Sequence, residues 1–190
     1  MATVERREIG RSYELVRGVV RPEAVDAALR HIHLDVAKRG LPPEWLGEWL
    51  WTAHWFPHLK WDEPIVSLLE HLPERLRTGQ LCDPQLVVQP PDASEGVALE
   101  PHVDQEPDWA CGRRYLRIVG VALTRNHAGN GGLVVWPEGA GPEAPDLAPG
   151  DVIVMDPRLP HTSGLNREGA MRYAVYFRFL EPEDPRPGDA

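Results

Sequence analysis

The chain has 190 residues, of which 42% are hydrophobic and 26% are charged, and its formal net charge at pH 7 is -9. This length allows one domain with a core of its own, and the composition excludes intrinsic disorder, collagen and coiled coil. The negative charge argues against nucleic-acid binding, and no apolar run is long enough to span a membrane. Because the first residues contain no secretory signal, we expect a cytoplasmic protein. We expect it to be a monomer or a homodimer.

Residues that break helices are abundant, with 20 prolines and 17 glycines. Such a density disfavours a helical bundle and favours short strands joined by turns. The two cysteines, Cys82 and Cys111, lack the spacing of a zinc or redox motif, so we expect two reduced thiols.

Helical patterns are confined to the first 80 residues. The spacing of apolar residues predicts a helix over 20–39, with Pro22 at its first position, and a second apolar face over 43–56. A third helix is predicted over 64–77, and Pro73 is expected to kink it or end it early. The inward positions of the first helix are Val25, Ala28, Leu29, Ile32 and Val36.

Beyond Gly79, short apolar runs bounded by glycine and proline predict strands. These runs are 85–89, 116–123, 133–136, 151–156 and 171–180. The order of helices followed by strands predicts either an α+β domain or a barrel or jelly roll with an N-terminal helical coat. In the last strand, one face carries Arg172, Ala174, Tyr176 and Arg178 and is expected to point inward. The other face should meet the helices, and it carries Tyr173, Val175, Phe177 and Phe179.

Three residues form a candidate metal site. His102 and Asp104 lie two apart in an extended segment, so both side chains can reach one cation. His161 is expected to close a strand just before a turn that bears Gly164. Two histidines and one carboxylate occupy one face of an octahedral ion and leave three positions open, which suits non-haem Fe(II) better than structural zinc. The remaining histidines are interpreted as structural or surface residues: His31, His33, His54, His58, His71 and His127.

Arg172 lies eleven residues after His161, beyond a turn at 164–169. We therefore expect the two residues on neighbouring antiparallel strands. An arginine one strand away from a metal can hold a dicarboxylate through a bidentate fork. The alternative is a surface arginine on an edge strand.

Four stretches in order carry a family resemblance: 101–105 (PHVDQ), 130–137 (NGGLVVWP), 147–155 (LAPGDVIVM) and 161–166 (HTSGLN) with Arg172. The chain resembles the phytanoyl-CoA dioxygenase-like (PhyH-like) branch of the Fe(II)/2-oxoglutarate-dependent oxygenases. This resemblance implies a mainly β fold with N-terminal helices, a double-stranded β-helix (jelly roll, cupin-like). Residues 1–80 would form a helical buttress, 81–182 the catalytic core and 183–190 a flexible tail.

The resemblance also implies the site. His102, Asp104 and His161 would hold iron, and Arg172 would pair with the distal carboxylate of 2-oxoglutarate, assisted by Ser163. Weaker candidates for the co-substrate wall are Gln89 or Gln85 on the strand before the first ligand, and Thr124 or Asn126 on a later strand. The implied enzyme is a dioxygenase that uses oxygen to hydroxylate, cyclise or desaturate a small natural-product or amino-acid-like molecule, releasing succinate and carbon dioxide.

Two features leave the substrate open. Relatives often carry Ser-His after the glycine-rich stretch, where this chain has Glu138 and small residues. Arg113, Arg114 and Arg117 are either a solvated face, which we favour, or contacts to an anionic substrate. Alternative interpretations are a non-catalytic cupin-like barrel that binds a small ligand, a protein hydroxylase of the same fold, and a zinc hydrolase.

Overall fold

Helices occupy the early part of the chain and strands most of the rest. The computed structural model describes residues 4–6 (backbone only), 12–39, 58–82, 84–91, 100–104 and 114–181. Its helices are α1 (Pro22–Arg39), α2 (Glu63–Val66), a 3₁₀ helix (Ser67–His71) and α3 (Glu74–Arg77). Its strands are β1 (Val4–Arg6), β2 (Tyr13–Val16), β3 (Gln80–Leu81), β4 (Gln85–Gln89), β5 (Tyr115–Ala122), β6 (Leu133–Val135), β7 (Val152–Met155), β8 (His161–Ser163) and β9 (Arg172–Leu180).

The strands form a large antiparallel sheet and a small one. The large sheet has seven strands in the order β1-β2-β7-β5-β9-β3, and β4 also pairs with β9. The small sheet consists of β6 and β8. The prediction of a mainly β fold with N-terminal helices is confirmed, and the predicted strand over 85–89 coincides with β4.

The strand β9 separates two apolar clusters, as its alternating sequence predicts. Tyr173, Val175, Phe177 and Phe179 pack in one cluster with buried residues of α1, such as Ile32. The imidazole of His33 also meets the Tyr173 ring edge-on, with 5.2 Å between ring centroids. The opposite face of β9 contributes to the other cluster, which contains Ala174, Tyr176, Ile118, Val135 and Met155. The helical layer therefore covers one face of the sheet, while the second face points towards β6 and β8.

A glycine allows close packing at the centre of this inner face. Gly120 on β5 lies opposite Tyr176 on β9 and Ile153 on β7. A β-carbon at Gly120 would lie 2.6 Å from Cε1 of the Tyr176 ring and 2.9 Å from Ile153 Cγ2. Only glycine therefore fits under this ring without displacement.

The helical predictions are confirmed in part. The first predicted helix coincides with α1, which begins at Pro22. The third is interrupted, because Pro73 separates the 3₁₀ helix from α3. The predicted apolar face over 43–56 lies outside the described residues, as do Cys111 and Arg113. No described helix combines the length and apolar character that a membrane span requires.

Two features of the topology differ from expectation. The strands β1 and β2 lie within the predicted helical region, and β2 pairs with β7 in the large sheet. His161 begins a strand rather than closing one, and β8 pairs with β6, whereas β9 pairs with β3, β4 and β5. The expectation that His161 and Arg172 lie on neighbouring strands was therefore wrong. The segment between them crosses from one sheet to the other instead of forming a hairpin.

Candidate metal centre

The two histidines of the candidate site face each other across an antiparallel bridge. The backbone NH of His102 donates to the carbonyl of His161 at 3.0 Å, and the NH of His161 donates back to His102 at 2.9 Å. Side chains of directly opposed residues project to the same side of such a pair. The ring centroids are accordingly 4.6 Å apart. This bridge joins residues that are far apart in the sequence.

Asp104 completes the cluster. Its backbone NH donates to the carbonyl of Pro157 at 3.1 Å, which fixes the segment two residues beyond His102. Its Oδ1 lies 3.7 Å from Nε2 of His102 and 3.7 Å from Nε2 of His161. The ligand atoms of the three residues lie within 4.8 Å of one another. Ligand atoms bound at about 2.1 Å from a common ion lie at about 3 to 4 Å from each other, so the cluster fits a single metal ion.

Backbone carbonyls orient both imidazoles. Nδ1 of His102 lies 3.1 Å from the carbonyl oxygen of Glu100, and Nδ1 of His161 lies 2.9 Å from that of Leu159. Because a carbonyl only accepts, each Nδ1 carries a proton, and each Nε2 is left facing Asp104 as the atom available to a metal. This arrangement is typical of histidines that ligate metals.

An arginine that the sequence did not assign to the site contacts Asp104. Nε of Arg178 donates to Asp104 Oδ2 at 2.8 Å, and Nη2 forms an ion pair with the same oxygen at 2.7 Å. Nη2 also donates to Oε1 of Gln85 at 2.7 Å. The alternation of β9 predicts that Arg178 faces inward with Arg172, but it contains no information about a partner in a distant segment.

The environment sets the charge of the cluster. Burial would raise the pKa of Asp104, but the positive charges of Arg178 and His161 outweigh it and hold this pKa below its ordinary value of 3.8. Burial lowers the pKa of His161 below its ordinary value of 6.5, although Asp104 acts in the opposite direction. Near neutral pH the carboxylate is therefore ionised and the His161 imidazole is neutral. These are the protonation states in which both residues bind metals.

Arg172 is fully buried at the other end of the inner face of β9. Its Nε donates to Oε1 of Gln89 at 2.8 Å, and its Nη1 donates to Oδ1 of Asn126. Its Nη2 is buried and completes no hydrogen bond among the described residues, although the neighbouring Tyr176 side chain opposes the effect of burial on the pKa of this guanidinium. Such an unsatisfied cationic donor is costly unless an anion occupies the space in front of it.

The other predicted co-substrate contacts differ in their placement. Ser163 is buried on β8, two residues beyond His161, so both side chains project to the same side of that strand. The hydroxyl of Thr124 instead accepts a hydrogen bond from the backbone NH of Tyr173 at 2.9 Å. Asn126, the other candidate on this segment, contacts Arg172 directly.

Other charged residues singled out in the sequence lie in surface contacts. Arg117 donates to the carbonyl of Arg75 and to the Thr78 hydroxyl, and Arg114 is exposed. His54 lies outside the described residues. Three of the other histidines contact carboxylates at the surface, namely His31 with Asp62, His58 with Asp35 and His127 with Glu168.

Comparisons with known proteins reveal similarity in structure alone. No family model and no curated protein matches the chain. Among solved structures, EvdO2 from Micromonospora carbonacea var. aurantiaca, complexed with 2-oxoglutarate, is 18% identical with a TM-score of 0.60 over 98% of both chains. The epimerase SnoN, in complex with Fe3+, alpha-ketoglutarate and nogalamycin RO, is 15% identical with a TM-score of 0.61, over 95% of this chain and 87% of SnoN.

A third structure is the non-haem alpha-ketoglutarate-dependent carbocyclase SnoK from nogalamycin biosynthesis. It is 14% identical with a TM-score of 0.61, over 90% of this chain and 80% of SnoK. At these identities the likeness establishes the fold, which this chain shares with non-haem alpha-ketoglutarate-dependent enzymes.

The arrangement has two chemical capacities. The cluster of His102, Asp104 and His161 can bind a divalent metal with three protein ligands, and no fourth candidate ligand joins it among the described residues. The buried guanidinium of Arg172 can bind a carboxylate through its Nη2. Both groups belong to the inner side of the large sheet, because Arg172 and the Asp104 partner Arg178 lie on the same face of β9.

Proposed function

We propose that this chain is an Fe(II)- and 2-oxoglutarate-dependent oxygenase of the phytanoyl-CoA dioxygenase-like branch, with a double-stranded β-helix fold. It would hydroxylate, oxidatively cyclise or desaturate a small molecule, and release succinate and carbon dioxide. The observation that carries this proposal is the convergence of His102, Asp104 and His161, with ligand atoms no more than 4.8 Å apart. The helical layer and the two N-terminal strands would act as the buttress of a catalytic core over 81–182.

The donor set fits ferrous iron. Two neutral imidazoles and one carboxylate form the set that non-haem Fe(II) oxygenases use, and it leaves room for a co-substrate and oxygen. Bound iron, with 2-oxoglutarate and oxygen, would supply the oxidising power needed to attack a C–H bond. The protein would contribute the position of the ligands, the neutral state of His161 and the exclusion of water by its buried surroundings.

Arg172 would anchor the distal carboxylate of 2-oxoglutarate. Gln89 and Asn126 engage its Nε and Nη1, so the guanidinium is oriented while Nη2 retains an unsatisfied proton donor. A carboxylate there would form a charge-assisted hydrogen bond in a buried environment, where such bonds are strong. Ser163 would add a hydroxyl. Thr124 as a contact stays a prediction.

The proposed substrate is a natural product or an amino-acid-like molecule. The fold is shared with a carbocyclase and an epimerase that act in nogalamycin biosynthesis or bind a nogalamycin compound. These enzymes support a small-molecule substrate and leave the outcome open between hydroxylation and ring formation. The departure at Glu138 from the pattern of relatives lies on a loop beside β6, where it would affect substrate choice and not the metal centre.

Anaerobic addition of Fe(II) and 2-oxoglutarate to the purified protein tests this function. We expect a weak visible metal-to-ligand charge-transfer band, and we expect succinate to accumulate once oxygen is admitted. His102→Ala should abolish both signals, whereas His127→Ala, a histidine outside the cluster, should retain them. Absence of both the band and succinate in the wild type would contradict the proposal. A band without succinate under any candidate substrate would favour the ligand-binding alternative.

A further inference from the structure

We propose that Arg178 is a positioning residue that restricts Asp104 to binding the metal through one oxygen. The proposal rests on the proposed metal site, but it concerns a residue that this site does not itself contain. It gives a role to Arg178, which lies on the inner face of the sheet together with Arg172.

The contacts divide the two oxygens of Asp104 between two tasks. Oδ2 accepts a hydrogen bond from Nε of Arg178 at 2.8 Å and forms an ion pair with its Nη2 at 2.7 Å. Oδ1 lies 3.7 Å from the Nε2 atom of each of the two histidines. The carboxylate is therefore turned with one oxygen towards the imidazoles and the other into the guanidinium.

Arg178 is itself held in place. Its side chain is 11% exposed, and its Nη2 also donates to Gln85 Oε1 at 2.7 Å. Gln85 lies on β4, which pairs with β9, and Arg178 lies opposite Ile118 on β5. The backbone NH of Cys82, just after β3, donates to the Arg178 carbonyl at 2.9 Å, so neighbours on both sides fix the backbone from which the guanidinium projects. A buried ion pair of this kind needs such support, because an unpaired buried charge is strongly unfavourable.

The consequence concerns the number of positions left at the metal. A carboxylate that binds through both oxygens takes two coordination positions of the metal. Together with two histidines it would leave only two of the six positions of an octahedral ion. With Oδ2 engaged by Arg178, Asp104 takes one position and three stay open. A chelating co-substrate and oxygen together require three positions, so the Arg178 contact keeps the centre open enough for both.

Cobalt(II) binding to the metal-free protein tests this role without reference to turnover. Wild type, Arg178→Gln, Arg178→Lys and the control Arg39→Gln are titrated, and the visible cobalt spectrum is recorded at saturation. Arg39 is a matched control because it pairs with Asp35 on the surface of α1, which covers the opposite face of the sheet. We expect Arg178→Gln to bind cobalt about 10- to 100-fold more weakly, because Asp104 is no longer held in position, and with an altered spectrum, because its second oxygen is free. Arg178→Lys, which keeps the charge, should recover part of the affinity, and Arg39→Gln should match the wild type.

The outcomes separate this inference from the proposed function. Equal affinity and an identical cobalt spectrum for wild type and Arg178→Gln would overturn the positioning role while leaving the metal site intact. Failure of the wild type to bind cobalt would overturn both. If Arg178→Gln does not fold, Gln85→Ala provides the test, because it removes the support of Arg178 and leaves the ion pair in place. It should weaken binding by less than Arg178→Gln but more than Arg39→Gln, and unchanged binding would contradict the proposal.

Discussion

Burial and charge oppose each other at the individual residues of the candidate centre. Asp104 and His161 are both buried, yet the pKa of each lies below its ordinary value. For Asp104 the neighbouring cation outweighs burial, whereas for His161 burial outweighs the neighbouring carboxylate. Both shifts leave the unfolded chain with more bound protons than the folded one, so each makes the fold less stable as the pH falls.

The first prediction concerns His161 and acid stability. Its folded-state pKa is lower than 6.5, so the metal-free protein should lose free energy of unfolding as the pH drops from about 6.5 downward. His161→Gln lacks this titration and should lose less stability between pH 7 and 5. Urea unfolding at pH 7, 6 and 5 measures the difference. Asp104 does not interfere, because its shift acts below its ordinary value of 3.8. Parallel stability curves for the two proteins would contradict the assignment.

A second prediction at this scale concerns the glycine beneath the Tyr176 ring. Gly120→Ala places a methyl group 2.6 Å from a ring carbon, and the ring is buried and cannot easily move. We expect a loss of about 1 to 3 kcal/mol in the free energy of unfolding, as for other overpacked cores. Gly141→Ala is the control, because a β-carbon there meets nothing within 4 Å. Chemical denaturation of both variants provides the comparison, and equal stabilities would show that the ring yields.

Among the elements, β9 organises the molecule. It pairs with β3, β4 and β5, and its two faces belong to different apolar clusters. The outer face supports α1, and the inner face carries Arg172 and Arg178. Stability and site geometry therefore depend on the same strand. The helix α1 packs on the face of the sheet opposite the site, so it can affect the site only through the sheet.

The contribution of α1 is testable with two variants on the same helix. Ile32 is fully buried against the outer face, whereas Leu34 is 54% exposed. Ile32→Ala should lower the free energy of unfolding by about 2 to 5 kcal/mol, because it removes buried methyl groups and leaves a cavity. Leu34→Ala should change it by less than about 0.5 kcal/mol. Denaturant unfolding distinguishes the two, and similar losses would mean that the region around Leu34 is also covered.

Over the whole molecule, the candidate centre joins segments that are distant in sequence. The segment at 100–104 meets the rest through the bridge between His102 and His161, the bond from Asp104 to Pro157 and the ion pair with Arg178. A metal ion would add a further link between this segment and β8. Because the unfolded chain does not present the three ligands together, binding energy would add directly to the stability of the folded state.

Metal binding should therefore raise the melting temperature. At a cobalt(II) concentration 100 times its dissociation constant, we expect a gain of about 2.7 kcal/mol in the free energy of unfolding. A chelator should reverse this gain, and Asp104→Ala should show little of it. Differential scanning calorimetry with and without metal provides the measurement. A gain of equal size in Asp104→Ala would indicate that the metal binds elsewhere.

Sequence reasoning succeeded where the signal is local. Prolines on both sides of β4, Pro84 and Pro90, predict its limits, and α1 follows from Pro22 and a regular apolar spacing. His102 and Asp104 are also a local pair, because residues two apart in an extended segment share a side.

Failures arose where the decisive contact joins distant parts of the chain. The linker between His161 and Arg172 has the length of a hairpin turn, and nothing in its sequence indicates that it crosses to another sheet. The strand β2 is four residues long and is stabilised by its pairing with β7, which local pattern does not reveal. Arg178 meets Asp104 across 74 positions of sequence, so its role emerges only from the fold.

The shared strand of Arg172 and Arg178 has a consequence for how this protein can evolve. At about 3.3 Å per residue, the Cα atoms of these two arginines, six residues apart on β9, lie about 20 Å apart along one face. Insertion or deletion of a single residue between them would turn one arginine into the apolar layer beneath α1. The strand β9 can tolerate single substitutions, but a change in its length would remove Arg172 or Arg178 from the inner face of the sheet. Descendants of this gene should therefore vary in the composition of this strand long before they vary in its length.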